Sequence, residues 1–521
     1  MSDFPRLNRQ RLRGVDREVY DSLPRPVQVL QFGTGALLRG LVDDALDRAA
    51  REGLWRGNAI VVSQTGSGRG AAFNDQDGLF TLRERGMEDG EAVERVRIIT
   101  TVERAISAQD EWEAVLDLAD DADVIVSNTT EVGLTWDDDD DPTAYPPRSF
   151  PAKLAALLHK RATAFSAFGR EPGWETVVLP TELVEGNGTL LRDLVLRWGE
   201  RAGWGDLFAG WIDTHVTFCD TLVDRIVTGT PPDLGAAERE VGHRDPLLTD
   251  TEPYRLWAIE PPEGTTPEAL RERLPFANGD PASGAGIVVA PSVEPFRLRK
   301  VRLLNAAHTL LVPVALGCGL ETVGEATEDA RVGAFLDRLL FGELVPAVAA
   351  DLEVSGADPD SAEPFARAVR DRFANPFIRH ELRSITLQQT MKLGVRAVPS
   401  VLALDRLDRV PDAVALGFAA FLLLHRQADG IPPDGALRFA TADVLADDRA
   451  ETIRGLWRER PDAAFVIANE VLANTDLWGY DLTDLPKTGP AFASEVARLT
   501  ARALDDGLPM VLNAHLSLSP R

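Results

Sequence analysis

Lysine is scarce in this chain. Of 55 basic residues only five are lysines: Lys153, Lys160, Lys300, Lys392 and Lys487. Arginine stays protonated, whereas a buried lysine can shed its proton and act as a base. A lysine kept against so strong an arginine bias is a candidate for chemistry that arginine cannot do. Cysteine is scarcer still, with Cys219 and Cys318 alone. That excludes a disulfide framework, and a reducing, cytoplasmic setting is expected. Two isolated cysteines and seven scattered histidines form no Cys-x-x-Cys or His-Glu-x-x-His pattern, so no catalytic zinc or other metal is expected. The four tyrosines are followed, four places on, by Pro24, Ser149, Ala258 and Asp484, so a Tyr-x-x-x-Lys pair is absent. No Gly-x-Ser-x-Gly elbow and no Gly-Lys-Ser/Thr phosphate loop occurs. No apolar run reaches the roughly 18 residues of a membrane span, and the first residues lack the apolar core of a secretory signal. A net charge of −27 argues against nucleic acid or an anionic membrane as partner.

What is present is a long globular sequence, 521 residues with 44% hydrophobic content, enough for two or more domains. Residues 1–26 read as a polar lead-in arm. Val27 to Phe32 reads as a strand, then Gly33-Thr34-Gly35, then a helical pattern through residues 41–50. Strand, Gly-x-Gly, helix opens a dinucleotide-binding βαβ unit, because the glycines permit a tight turn and close approach of a pyrophosphate. A purely structural turn is the plain alternative. Phe32, Gly33, Gly35, Leu38 and Arg39 are the expected cofactor contacts. The next strand, residues 58–63, ends without the acid that would hold a ribose 2′-hydroxyl, and Arg69 follows, so NAD is expected with NADP left open. Residues 94–104 and 123–127 read as further strands. The second leads into Asn128 and Thr129, two more expected cofactor contacts at the carboxyl edge of the sheet. The acidic run Asp137–Asp141 reads as a solvated loop. Another strand ends at Glu182, and Asn187 opens the helix after it.

Alternation of strand and helix to about residue 230 predicts an α/β, Rossmann-type dinucleotide-binding domain over 1–290. Beyond it, helical periodicities at 300–318, 327–350, 362–373, 379–391, 399–404, 411–425, 439–446, 450–458, 463–471 and 488–504 predict a mostly α-helical domain over 291–521 that carries substrate and catalysis. Its first segment, Lys300 to His308, sets a cation, an amide and an imidazole among Leu, Val and Ala. On an α-helix Asn305 would lie about 140° and His308 about 80° around from Lys300. Burying such groups costs free energy unless they find partners. A capped core helix with a snorkelling lysine would explain them, but with zinc and the Tyr-Lys pair excluded this segment is the best remaining candidate for carbonyl chemistry.

The Lys-x4-Asn-x2-His spacing of Lys300, Asn305 and His308, with Asp224-Arg225-Ile226 and the Asn187-Gly188 loop, resembles the mannitol dehydrogenase family of polyol-specific long-chain dehydrogenases. Gln76 to Thr81, Ser127 to Glu131, Leu179 to Leu183, Phe218 to Gly229, Lys300 to Val314 and Asn375 to Leu382 are most similar to the branch that acts on tagaturonate and altronate. The resemblance implies a zinc-independent hydride transfer between NAD(H) and a hexuronate or aldonate. Lys300 would then be the base, Asn187 and Asn305 donors to the developing oxyanion, and His308 an orienting group. Asp224, Arg379, His380 and Lys392 would hold the substrate, the last three meeting its carboxylate. A monomer or weak homo-oligomer is expected. Fructuronate reductase, a mannitol-type dehydrogenase and, remotely, a non-catalytic sugar-acid sensor are the competing readings.

Overall fold

The computed structural model describes residues 4–22, 27–64, 68–121, 123–129, 133–168, 175–279, 286–428, 439 and 446–517. The chain divides into two compact units, one of Met1–Arg85 and Val93–Val293, the other of Gly86–Ala92 and Glu294–Arg521.

Strands β1 (Val27–Phe32), β2 (Asn58–Ser63), β3 (Phe80–Glu88), β4 (Glu91–Ile99), β5 (Val102–Ser107), β6 (Val124–Ser127), β7 (Thr176–Pro180) and β8 (Val216–Phe218) come first in the chain. Six of them form one sheet in the order β5-β2-β1-β6-β7-β8, with every pairing parallel. The strands are apolar on both faces, as a covered parallel sheet requires. Leu30, Phe32, Ile60 and Val62 pack under Leu154, Leu158, Leu191 and Trp198, while Val29, Ala59 and Val126 face Leu41, Val42 and Ala45. The chain runs outward from β1 to β2 and β5, then returns beside β1 and runs the other way through β6, β7 and β8. The switch point therefore lies between β1 and β6, where such sheets bind ligands beyond their carboxyl ends. The later strands β9 (Asp220–Asp224), β10 (Val227–Gly229), β11 (Thr249–Thr251), β12 (Leu256–Glu260) and β13 (Ile287–Val289) complete two smaller sheets, β10-β11-β3-β4 and β13-β12-β9.

Three expectations are corrected here. The single strand expected over 94–104 is two, β4 and β5, which end up in different sheets. The lead-in arm is anchored, because Leu7 and Leu12 are buried with Tyr20 and Leu79, and a helix forms over Gly14–Ser22. The acidic loop is not wholly solvated. Asp140 is buried and accepts from the amides of Asp141, Arg148 and Ser149 at 2.8, 2.8 and 2.6 Å, which fixes the approach to helix Phe150–Phe168.

A knot of buried charge ties this unit together. The fully buried Arg225 guanidinium donates to Asp44 at 2.5 Å, to Glu84 at 2.9 Å and to the Glu252 carbonyl. Arg48 and Arg255 also reach Glu84. Burial alone would raise the Asp44 pKa, but Arg97, Arg225, Arg48 and Arg255 together hold it well below the usual carboxylate range.

The second unit is helical. Helix Ala306–Gly317 is buried along almost its whole length and packs on Asp412–Ala428 at Gly417, where a Cβ would stand 2.6 Å from Leu310 Cδ2. The helix expected over 327–350 is interrupted at Asp329, whose extended backbone and side chain cap a new helix at Ala330. The one expected over 379–391 breaks at Gln388, whose φ of +53° is left-handed; Leu382–Ile385 precedes it and Gln389–Arg396 follows. Most of the pattern at 439–446 lies outside the described residues.

Replacing Arg225 by Ala removes the cation that joins two buried carboxylates and leaves them to Arg48, Arg97 and Arg255. Urea unfolding should show a loss of about 3 kcal/mol. Because Asp44 is depressed in the folded state, its contribution is full above its unfolded pKa and disappears as the pH falls. The variant should therefore acid-unfold at a higher pH than the parent; unchanged midpoints in both titrations would remove the charge knot as a stabilising feature.

Candidate active site

At the switch point the chain leaves β1 through Phe32, which is buried against Phe150 at 5.1 Å. Gly33 has φ +138°, and a Cβ there would meet Leu38 Cδ1 at 2.7 Å and the Asn128 carbonyl oxygen at 3.0 Å. Gly33 is thus required by its neighbours. At Gly35 a Cβ would meet no atom within 4 Å, so this glycine borders open space. The first turn of the following helix, Leu38–Asp43, is π-helical. Leu38 is buried, and Arg39 turns inward to bond Thr249 Oγ1 at 2.9 Å and the Thr34 carbonyl at 2.6 Å. Burial lowers the Arg39 pKa to about 10. Its guanidinium therefore shapes the loop from inside. Beyond β6, the Asn128 amide donates to Thr181, and Thr129 donates from its amide and its hydroxyl to Glu182 at 2.8 and 2.9 Å. These two residues brace the loop across from Gly33. Arg69 is exposed at the start of helix Arg69–Asn74, and most of the turn between it and β2 lies outside the described residues.

Asn187 begins helix Asn187–Arg201 and is buried. Its Nδ2 faces the carbonyls of Pro180, Glu182 and Thr221 at 3.2, 3.0 and 3.2 Å, and its Oδ1 accepts from the Thr221 amide at 2.9 Å. Both amide hydrogens are engaged by backbone, so this asparagine fastens the end of β7 to β9. Asp224 ends β9, buried, beside the Arg225 of the charge knot.

In the second unit the segment Lys300–Asn305 is a π-helical turn, closed by the Ala306 amide on the Val301 carbonyl five residues back. This changes the helical wheel. A π-helical turn takes more residues than the 3.6 of an α-helix, so Asn305 lies closer around to Lys300 than the about 140° of an α-helix. His308 follows Asn305 at i+3, so the three groups share one side of the helix. Lys300 and Asn305 are half-buried. The Asn305 side-chain amide has no hydrogen-bond partner among the described residues, in contrast to Asn187. His308 stacks on Phe373 with ring centroids 3.9 Å apart and meets the edge of His380 at 5.1 Å. Its Nε2 is buried and also lacks a partner among the described residues. Burial first, then the neighbouring His380, Arg372, Arg396 and Lys392, push its pKa well below the usual imidazole value, so the ring is neutral at neutral pH.

The basic residues expected near the substrate separate into two groups. His380 is half-buried against His308, and Lys392 is half-buried with its Nζ on the Ile385 carbonyl at 3.1 Å. Arg379 is exposed and already paired, to Glu381 at 2.6 Å and Glu321 at 3.6 Å. Arg396, which sequence reasoning missed, lies on the same face as Lys392 four residues on, and its Nη1 donates to Thr309 Oγ1 at 3.1 Å. The i, i+4 spacing of Lys392 and Arg396 was the available signal.

Comparison with known proteins agrees with this architecture. Residues 27–269 match the mannitol dehydrogenase Rossmann domain, and residues 292–500 match the mannitol dehydrogenase C-terminal domain. The chain is 34% identical to the altronate oxidoreductase of Bacillus subtilis (strain 168) over 481 residues, 91% of this chain and 93% of that protein. It is 34% identical to the altronate oxidoreductase of Pectobacterium carotovorum subsp. carotovorum (strain PC1) over 503 residues, 95% and 98% of the two chains. Among solved structures, a D-sorbitol dehydrogenase in substrate-free form aligns with TM-score 0.71 at 20% identity, covering 95% of this chain and 96% of that one. The Pseudomonas fluorescens mannitol 2-dehydrogenase ternary complex with NAD and D-mannitol aligns with TM-score 0.60 at 22% identity, covering 99% and 100%. Matched in both of its units, this chain belongs to the mannitol dehydrogenase family.

Proposed function

We propose that the chain is an altronate oxidoreductase, interconverting D-altronate and D-tagaturonate in hexuronate breakdown with NAD(H). One observation carries the reading: the widened π-helical turn brings Lys300 and the unpartnered amide of Asn305 to one side of the helix, with a neutral His308 that basic side chains surround. The relatives named altronate oxidoreductase, at 34% identity over more than nine-tenths of the chain, support the sugar acid as substrate over a neutral polyol.

The dinucleotide, when bound, supplies or accepts the hydride. The open space at Gly35, at the β1–β6 switch point, fits a group that must approach the backbone closely. Lys300 takes the hydroxyl proton of altronate, or returns it during reduction. Asn305 donates a hydrogen bond to the oxygen as negative charge grows on it. His308, neutral and with a bare Nε2, orients a substrate hydroxyl. Asn187 is assigned to holding the β7 loop, since its hydrogens are engaged. His380 and Lys392 lie with the substrate, whereas the exposed ion pairs of Arg379 leave it a surface residue.

A panel of tagaturonate, fructuronate and fructose, each with NADH and NADPH, tests the reading. Tagaturonate with NADH should be the fastest combination. Preference for fructuronate or fructose would move the chain to another branch of the family. Lys300→Ala should lower kcat by about 10³-fold or more with NADH binding retained, and Lys300→Arg should fail equally because arginine keeps its proton; near-normal turnover in either would remove Lys300 as the base. Gly35→Val should keep the parent melting temperature yet lose NADH affinity about tenfold or more, whereas Gly33→Ala should lower the melting temperature itself.

A further inference from the structure

Arg396 is an uncompensated cation in an acidic protein. The chain carries 82 acidic residues against 55 basic ones, and several of its other buried or half-buried arginines are paired with an acid. Arg302 reaches Asp351 at 2.9 Å, Arg51 reaches Asp47 at 2.5 Å, and Arg83 reaches Asp250 at 2.7 Å. Arg396, half-buried on helix Gln389–Arg396, has no carboxylate partner among the described residues. Its one hydrogen bond there goes to the hydroxyl of Thr309, a neutral group. Placing a cation out of water without a counter-charge is costly.

The cost is compounded by Lys392, one turn earlier on the same helix face. Burial and the neighbouring Arg396 both lower its pKa, and the nearby Asp447 opposes them without forming an ion pair. Asp447 is engaged elsewhere: its Oδ2 accepts from the Thr390 amide at 2.8 Å and hydroxyl at 2.7 Å, and its Oδ1 from the Arg449 amide. Two like charges thus share one face of one helix with no acid bonded to either.

That face is aimed by specific contacts. Gln388 takes the left-handed conformation at the start of the helix. The buried Gln389 beyond it donates to the Thr309 carbonyl at 3.3 Å. The Thr309 hydroxyl donates in turn to the Asn305 carbonyl at 2.8 Å. Arg396 is therefore two hydrogen bonds from the backbone of Asn305, and Thr309 is the residue after His308. Arg396 is also one of the basic groups near enough to His308 to disfavour its charge.

We propose that Arg396, with Lys392 next to it, binds the carboxylate of the sugar acid and makes the site prefer an acid to a neutral polyol. This rests on the oxidoreductase reading above for what the rest of the molecule undergoes. A guanidinium suits a carboxylate because its planar donors match the two oxygens. The carboxylate supplies the counter-charge that the protein omits, and the Thr309 hydroxyl fixes the plane of the guanidinium before substrate arrives.

Calorimetric titration with D-altronate, alongside steady-state oxidation of D-altronate and of the neutral polyol altritol, tests this. Arg396→Gln should weaken altronate binding about 100-fold and raise KM far more than it lowers kcat. The ratio of altronate to altritol efficiency should fall by a similar factor. Arg396→Lys keeps the charge and should recover about a tenth or more of the lost affinity. NADH binding checks that each variant is folded. Unchanged altronate affinity in Arg396→Gln, or an equal fall in efficiency for acid and polyol, overturns the proposal. If the parent oxidises altronate and Arg396→Gln matches it, the carboxylate site fails and the reaction stands. If the parent binds altronate through Arg396 without oxidising it, the reaction fails and the site stands; binding neither acid nor polyol overturns both.

Discussion

A single widened helical turn sets Lys300, Asn305 and His308 on one side of a helix in the second unit. The π-helical step at Lys300–Asn305 adds one residue to the span of its hydrogen bond, widens the turn and rotates the groups that follow it. Without it, Lys300 and Asn305 would diverge by about 140° around an α-helix. With it, cation, amide and imidazole share one side of a helix otherwise buried in apolar packing. The apolar surroundings hold that arrangement rigid: Leu310 against Gly417 and His308 against Phe373 leave the helix little room to rewind. They also keep His308 neutral, because burial and four neighbouring basic groups all disfavour its charge.

The first unit solves a different problem with the same economy. A parallel sheet covered on both faces brings its switch point to the β1 and β6 ends, where Gly33 and Asn128 touch and Gly35 leaves space. Behind that point, acids and arginines that would be costly singly are buried together, with Arg225 joining Asp44 and Glu84. Matched charge builds the scaffold of this unit, whereas Arg396 of the other unit has no carboxylate bonded to it among the described residues, and on that ground we propose it as the substrate's carboxylate site. The distinction is whether a carboxylate is already present.

Local chemistry was legible in the sequence, and tertiary commitments were not. Lys300, Asn305 and His308 could be singled out by residue type, spacing and the scarcity of lysine, and the Gly33–Gly35 turn by its place after a strand. The π-helical register could not, because nothing in the composition of 300–305 separates it from an α-helix. Asn187 and Asn305 look alike as sequence; the difference lies in Glu182 and, 34 residues on, Thr221, which engage the amide of Asn187 while that of Asn305 has no partner among the described residues. Arg379 and Arg396 likewise look equivalent until Glu381 is seen beside one and Thr309 beside the other. Asp140 read as one acid among five, and only its three amide contacts reveal an anchor.

The hydride transfer to a sugar acid proposed for this chain is tested most directly by an isotope experiment. Tagaturonate is reduced by the enzyme with reduced nicotinamide dinucleotide carrying deuterium at both positions of ring carbon 4, and the altronate formed is examined by mass spectrometry and NMR. The account predicts a single deuterium bonded to the new carbinol carbon, with the hydroxyl proton drawn from solvent. Deuterium released to water, or no altronate formed, would contradict it.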